Sequence, residues 1–309
     1  MEINKIYQGD SLDILKIFPS ESVDCAITSP PYWALRDYGV DGQLGLEPTF
    51  QEYISKLCDI FDEVKRVLKK EGTCFVNLGD TYSGNKNGKT DYKVSDYLKE
   101  NSQGIKKKAT ITEKSLCQIP SRFAIAMADR GWILRNRIIW HKTNCMPASV
   151  TDRFTVDYED IFFFVKNKKY WFEQQNEPLS KTTIKRLEHN WNCRPNAKLA
   201  SGTIGGMTDI GFNKAVKSMK EKGTRNKRCV WAIPTKSFSE AHFATFPEEL
   251  IVPMILAGCP PKGIVLDIFM GAGTTALVAK KLGRKYIGIE LNPEYIKIAE
   301  KRLAQENLF

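Results

Sequence analysis

The chain has no apolar run approaching the roughly 18 consecutive residues that a membrane span requires. Its polar start, Met1-Glu2-Ile3-Asn4-Lys5, does not read as a signal peptide, so a cytosolic protein is expected. Metal-ligand patterns are scarce as well. The eight cysteines, Cys25, Cys58, Cys74, Cys117, Cys145, Cys193, Cys229 and Cys259, include no C-x-x-C pair. The three histidines, His141, His189 and His242, stand at no helical or ligand spacing. Both patterns argue against zinc and against a disulfide framework, and no metal is expected. No Gly-Lys-Ser/Thr step follows the glycine turn at Gly271 and Gly273, which excludes a P-loop there. Internal repeats are absent too.

What is present begins with charge. The 309 residues carry a formal net charge of +10, and most of it sits in two blocks. Residues 84–114 hold eight Lys and Arg against four Asp and Glu, and residues 173–240 hold thirteen against six. A nearly neutral body with two basic segments suits binding to a phosphate backbone, which depends on cations gathered on one surface. A pair of solvated loops is the plainer alternative.

Short apolar runs predict seven strands, at 5–8, 23–28, 73–78, 133–141, 161–166, 264–268 and 286–290. Helical periodicity appears between them at 50–70, 121–130, 247–257 and 274–282. Such alternation predicts an α/β protein with a doubly wound, mostly parallel sheet. The length suits one domain with insertions. Residues 84–114, with few aliphatics and the run Lys106-Lys107-Lys108, read as a basic loop. Residues 173–240 read as a small basic insertion with isolated aromatic anchors.

Two motifs carry chemistry. The first is Thr28-Ser29-Pro30-Pro31-Tyr32-Trp33, at the end of an apolar strand that two prolines stop because neither can donate a ladder hydrogen bond. A residue that precedes proline is held extended, so Ser29 and the Pro30 carbonyl become rigid acceptors beside an aromatic ring. Such acceptors suit an amino group on a flat base. An ordinary strand-terminating turn with a core tyrosine is the competing reading, and Trp33 is expected to serve packing.

The second motif runs from Ile264 to Thr275: a strand ending in Asp267, a turn containing Phe269, Gly271 and Gly273, and a helix opening at Thr274 and Thr275. Glycines there allow close backbone approach, and a helix N-terminus favours a carboxylate. About twenty residues on, a further strand ends at Glu290, a spacing that suits ribose hydroxyls. The G-x-G-x-x-G register is incomplete, which disfavours a dinucleotide. S-adenosylmethionine, with a carboxylate, an ammonium, a ribose and an adenine but no pyrophosphate, fits best.

With both motifs in hand, the chain resembles the amino-group DNA methyltransferases, in the permuted group whose catalytic motif precedes the cofactor motif. Ser29-Pro30-Pro31-Tyr32 matches the catalytic motif, and Asp267 to Thr275 match D-x-F-x-G-x-G-T-T. Gly9-Asp10-Ser11-Leu12, Glu159-Asp160-Ile161 leading to Lys166, and His242 to Pro247 resemble further family segments. The resemblance implies a circularly permuted, Rossmann-like, seven-stranded sheet. Residues 1–172 would form its catalytic half, 173–240 a target-recognition region, and 241–309 its cofactor half. It places Asp10 near the cofactor adenine, Glu290 on its ribose, and Thr28, Phe246 and Pro247 in the cofactor set.

The resemblance also implies duplex DNA as substrate, a cognate restriction endonuclease as partner, and a nucleoid-associated location in a prokaryote or phage. Lys106, Lys107, Lys108, Arg194, Arg225, Lys227 and Arg228 are the expected DNA-binding residues. No Pro-Cys dipeptide occurs, so carbon methylation of cytosine lacks its nucleophile. Serine in the catalytic motif favours cytosine N4 over adenine N6 as target, with adenine the alternative. A methyltransferase acting on RNA, one acting on a small molecule, and a DNA-binding module with an inactive cofactor site complete the competing readings.

Overall fold

The computed structural model describes residues 1–35, 37, 39–83, 111–188, 209–236 and 246–305. Its elements begin β1 (Lys5–Gln8), α1 (Ser11–Ile17), β2 (Val23–Thr28), α2 (Phe50–Val67), β3 (Leu68–Leu78), α3 (Ile119–Asp129), β4 (Ile133–His141) and β5 (Tyr158–Val165). After these come β6 (Asn176–Pro178), α4 (Lys181–Glu188), α5 (Asp209–Lys222), β7 (Thr224–Asn226) and β8 (Val230–Ala232). The chain closes with α6 (Glu248–Gly258), β9 (Ile264–Asp267), α7 (Thr274–Lys281), β10 (Lys285–Glu290) and α8 (Pro293–Gln305). Two compact units separate: residues 1–173 with 229–309, and Gln174–Arg228.

The first unit is built on an eight-stranded sheet of order β1-β10-β9-β2-β3-β5-β4-β8. β1, β10, β9, β2 and β3 run parallel, while β5 is antiparallel to both β3 and β4. The late strand β9 therefore lies between β10 and the early strand β2, as a permuted chain requires. The count is one above the expected seven. The extra strand, β8, pairs parallel to β4 and falls inside the region read as an insertion. Only three residues long, with Val230 exposed and Trp231 buried, it lies in a short apolar stretch, Cys229 to Ile233, embedded in a basic, polar segment.

Both faces of the sheet are covered, which explains the unbroken apolar run of β5. Phe162 and Phe164 pack with Tyr53, Phe61 and Phe123 of α2 and α3, whereas Ile161, Phe163 and Val165 pack with Leu250, Met254 and Ile255 of α6. Helix α2 is amphipathic, and its N-cap, Thr49, accepts from the Glu52 amide at 3.2 Å. It ends at Val67, earlier than the expected 70, because the chain turns extended at Leu68 to start β3.

The second unit contains α4, α5 and the antiparallel ribbon β6–β7. Arg225 and Arg228 both donate to Glu177 Oε1, at 2.8 and 2.6 Å.

Candidate active site

The parallel strands β1, β2, β3, β9 and β10 all end on one edge of the sheet, where open α/β sheets bind ligands. Antiparallel pairing brings the start of β5 and the end of β4 to the same edge, since Leu78 stands opposite Asp160 and Trp140 opposite Glu159. A cavity of about 720 Å³ opens there. Its wall joins Ser29, Pro30, Pro31 and Tyr32 to Phe269, Gly271, Thr274 and Glu290, so two motifs more than 200 residues apart share one site. Asp10 and Phe246 also line it.

At the first motif, Tyr53 donates its hydroxyl to the Pro31 carbonyl at 2.8 Å, and no hydrogen bond reaches the Pro30 carbonyl from the described residues. Of the two proline carbonyls, Pro30 is thus the one left for a ligand. The Tyr32 hydroxyl donates to Glu159 Oε2 at 2.7 Å. Asn77 Nδ2 donates to the same Glu159 oxygen and to Tyr32 Oη, both at 2.6 Å. Ser29 Oγ lies 3.5 Å from both Tyr32 Oη and Asn77 Nδ2. Lys142 bonds the other Glu159 oxygen and sits 4.9 Å over the Trp140 ring. Burial, and then the neighbouring Glu159 carboxylate, push the Tyr32 phenol well above its ordinary range, so it stays a donor at neutral pH.

Trp33 is core: it is buried, donates to the Glu47 carbonyl at 2.9 Å and meets the Phe50 ring edge-on. Gly79 has a role that the sequence reading missed. A Cβ there would stand 2.5 Å from Tyr32 Cε2, so the tyrosine ring rests directly on this glycine. Gly79→Ala is therefore expected to displace the ring and lower the turnover of the site about tenfold, in line with the roughly 1–3 kcal/mol cost of overpacking, while cofactor affinity holds. Steady-state kinetics beside a cofactor titration checks this.

At the second motif the polar residues divide. Glu290 faces the cavity, with Oε2 accepting from the Gly271 amide at 2.7 Å and Oε1 from the Asn292 amide at 2.8 Å. Each oxygen keeps a further lone pair for a ligand hydroxyl. Burial raises its pKa above the usual carboxylate range. Asp267, Thr28 and Thr275 instead lock one another. Thr28 Oγ1 donates to Asp267 Oδ1 and Thr275 Oγ1 to Oδ2, each at 2.6 Å, and the Phe269 amide adds a third bond at 3.1 Å. All three side chains are buried and none lines the cavity. Their evident work is to fix the turn against β2 rather than to touch a ligand.

Gly273 and Pro247 also lie behind the wall. Gly273 adopts φ +79°, and a Cβ on it would meet Ala299 Cβ at 2.7 Å, so it serves the packing of α7 against α8. The Asp10 carboxylate caps α1, accepting from the Leu12 and Asp13 amides at 2.8 and 3.2 Å.

Burial pushes Asp267 from the ordinary 3.8 up to about 6. Its folded-state pKa is raised, so the stability it contributes is fully present below the unfolded value and is lost as pH rises through the folded one. Asp267→Asn is neutral throughout. Wild-type stability should accordingly fall relative to this variant between about pH 4 and 7, by up to roughly 3 kcal/mol, as read from guanidinium unfolding at several pH values.

Asn77, Gly79 and Lys142 were absent from the sequence-derived set, and Glu159 entered it only within a flanking segment. The available signal was position: each stands at a strand end on the ligand edge. Within the flanking segment, Asp160 forms a two-pronged bond with Arg137, at 2.7 and 2.9 Å, and Lys166 caps the Leu68 carbonyl at 2.8 Å. Of the expected DNA-binding residues, Lys106, Lys107, Lys108 and Arg194 lie outside the described residues. Arg225 is held by Glu177 and partly buried, Arg228 shares that carboxylate but is exposed, and Lys227 is half-buried. His189, His242 and Cys193 also fall outside the described residues, among which no cluster suited to a metal ion occurs. No described helix is long and apolar enough to cross a membrane.

Comparison with known proteins agrees with this geometry. A family model described as DNA methylase matches residues 23–301. The chain is 39% identical to the Type II methyltransferase M.Cfr9I of Citrobacter freundii, over 99% of this chain and 90% of that protein. Among solved structures, the PvuII DNA methyltransferase (cytosine-N4-specific) superposes with a TM-score of 0.63 at 22% identity, covering 98% of this chain and 86% of that one. M1.HpyAVI, solved in complex with SAM, superposes with a TM-score of 0.55 at 20% identity, covering 97% and 98%.

Proposed function

The chain belongs to the N6/N4 DNA methylase family, as a Type II DNA methyltransferase, and on that premise we propose that it methylates the exocyclic N4 of a flipped cytosine in duplex DNA. The observation that carries this reading is the shared cavity, whose wall includes the Ser29 and Pro30 acceptors together with the Gly271 turn and Glu290. S-adenosylmethionine is the cofactor, and when bound it supplies an electrophilic methyl group on a sulfonium.

The residues fit that group. Gly271 leaves open space where a Cβ would point, and Glu290 offers acceptors to ribose hydroxyls. The amides at the start of α7 suit a carboxylate. Those residues hold and orient the donor.

An exocyclic amine is a poor nucleophile because its lone pair is delocalised into the ring. Ser29 Oγ and the Pro30 carbonyl draw its two hydrogens, pull nitrogen towards tetrahedral geometry and aim the lone pair at the methyl group. Tyr32 stacks on the base, which must leave the duplex because the amine is otherwise out of reach. The serine of the catalytic motif supports cytosine over adenine. Residues 174–228 hold twelve Lys and Arg against four Asp and Glu, and Lys217, Lys220 and Lys222 are exposed on α5. That charge suits grip on phosphates, with Asn, Thr and Arg side chains available to base edges. A restriction endonuclease that cuts the same site is the proposed companion.

Methyl-labelled S-adenosylmethionine incubated with duplex DNA and, separately, with RNA tests the assignment. Label is expected in duplex DNA. Label confined to RNA, or none despite bound cofactor, would overturn it.

A further inference from the structure

Four strand ends converge on one carboxylate. Glu159, at the start of β5, receives Lys142 on one oxygen, and on the other the Tyr32 hydroxyl at 2.7 Å and Asn77 Nδ2 at 2.6 Å. Such a ring of donors orders every hydrogen around it. A carboxylate only accepts, so the Tyr32 hydrogen is committed to Glu159. The Tyr32 oxygen can then only accept, and it takes the Asn77 amide at 2.6 Å. On that side the Ser29 hydroxyl has one acceptor for its own hydrogen, Tyr32 Oη at 3.5 Å, while Asn77 Nδ2 is a donor.

Asn77 bears the mark of this ordering. Its Oδ1 is buried and accepts no hydrogen bond from the described residues, a state that costs about 1–3 kcal/mol. Turning the amide over would set that oxygen against Glu159 Oε2 and Tyr32 Oη, acceptor facing acceptor. The carboxylate therefore fixes the amide as it fixes the hydroxyls.

We propose that Glu159, anchored by Lys142, is a positioning residue that sets the direction of the Tyr32–Ser29 hydroxyl pair, so that Ser29 presents lone pairs rather than its hydrogen to the target amine. It acts through Tyr32 and does not touch the reacting atoms. Glu159→Gln keeps size and shape but offers an amide that can donate to Tyr32 Oη. The tyrosine hydrogen is then free to turn to Ser29, and the serine hydrogen to turn into the cavity, where it opposes the amine hydrogens. This inference rests on the reading that the site methylates an exocyclic amine.

A double-mutant cycle tests it, with single-turnover methylation of DNA bearing the mapped target site as readout. Glu159→Gln should slow transfer at least about tenfold in the otherwise wild-type enzyme, with S-adenosylmethionine affinity unchanged. In a Tyr32→Phe background, where the hydroxyl that links Glu159 to Ser29 is gone, the same change should cost less than about threefold, a coupling that a general structural defect would not produce. Lys142→Arg, which keeps the anchor, should retain most of the rate. Full activity of Glu159→Gln, or an equal loss in both backgrounds, overturns the inference while leaving the methyltransferase reading intact. A wild-type enzyme that methylates no DNA overturns both.

Discussion

Replacing Ser29 with alanine is expected to lower the methyl-transfer rate by about 10²-fold or more, the scale seen when one preorganised acceptor or donor is lost from a reacting centre. Tyr32→Ala should fall at least as far, because it removes the stacking ring and the hydroxyl together. Neither change should alter S-adenosylmethionine affinity more than a few-fold, since the described hydrogen bonds of both side chains run to one another, Asn77 and Glu159 and none runs to the Gly271 turn or Glu290. The contrast between rate and affinity is the informative result: parallel losses in both would point to a disturbed fold. Tyr32→Phe should lie between the wild type and Tyr32→Ala, keeping the ring on Gly79 while losing the 2.7 Å bond to Glu159.

Glu290→Ala is expected to have the opposite signature. Its carboxylate holds the Gly271 and Asn292 amides and still faces the cavity, so its loss both frees the turn and removes the acceptors proposed for the ribose. Hydrogen bonds to charged groups are worth about 1.5–3 kcal/mol, which predicts cofactor binding weaker by roughly 10- to 100-fold. At saturating cofactor the rate should largely recover. Calorimetric titration together with kinetics at high cofactor concentration separates this outcome from that at Ser29, and unchanged affinity would remove Glu290 from the cofactor site.

Much of this was legible in the sequence, for identifiable reasons. The strands β2, β5 and β9 are near-continuous apolar runs because the sheet is covered on both faces, and Pro30-Pro31 and Gly271 punctuate their ends. Short elements escaped: β8 has three residues and depends on the neighbouring backbone, and α1 is a seven-residue helix capped by Asp10. Polar residues at strand ends were recognisable as a class, yet their division of labour was not. Asp267 looks like a ligand and proves to be held by two threonines, one of them 239 positions away. Asn77, Lys142 and Glu159 look unremarkable along the chain and meet only because β5 runs antiparallel between β3 and β4. No local pattern encodes that meeting.

The most direct test of the account is nucleoside mass spectrometry of duplex DNA after incubation with the purified protein and isotopically labelled S-adenosylmethionine. The expected result is labelled N4-methyldeoxycytidine, formed about 10²-fold or more slowly in a parallel timed reaction with Ser29→Ala. Labelled N6-methyldeoxyadenosine would contradict the assignment of the target base, and no labelled nucleoside at all would contradict the assignment of the site.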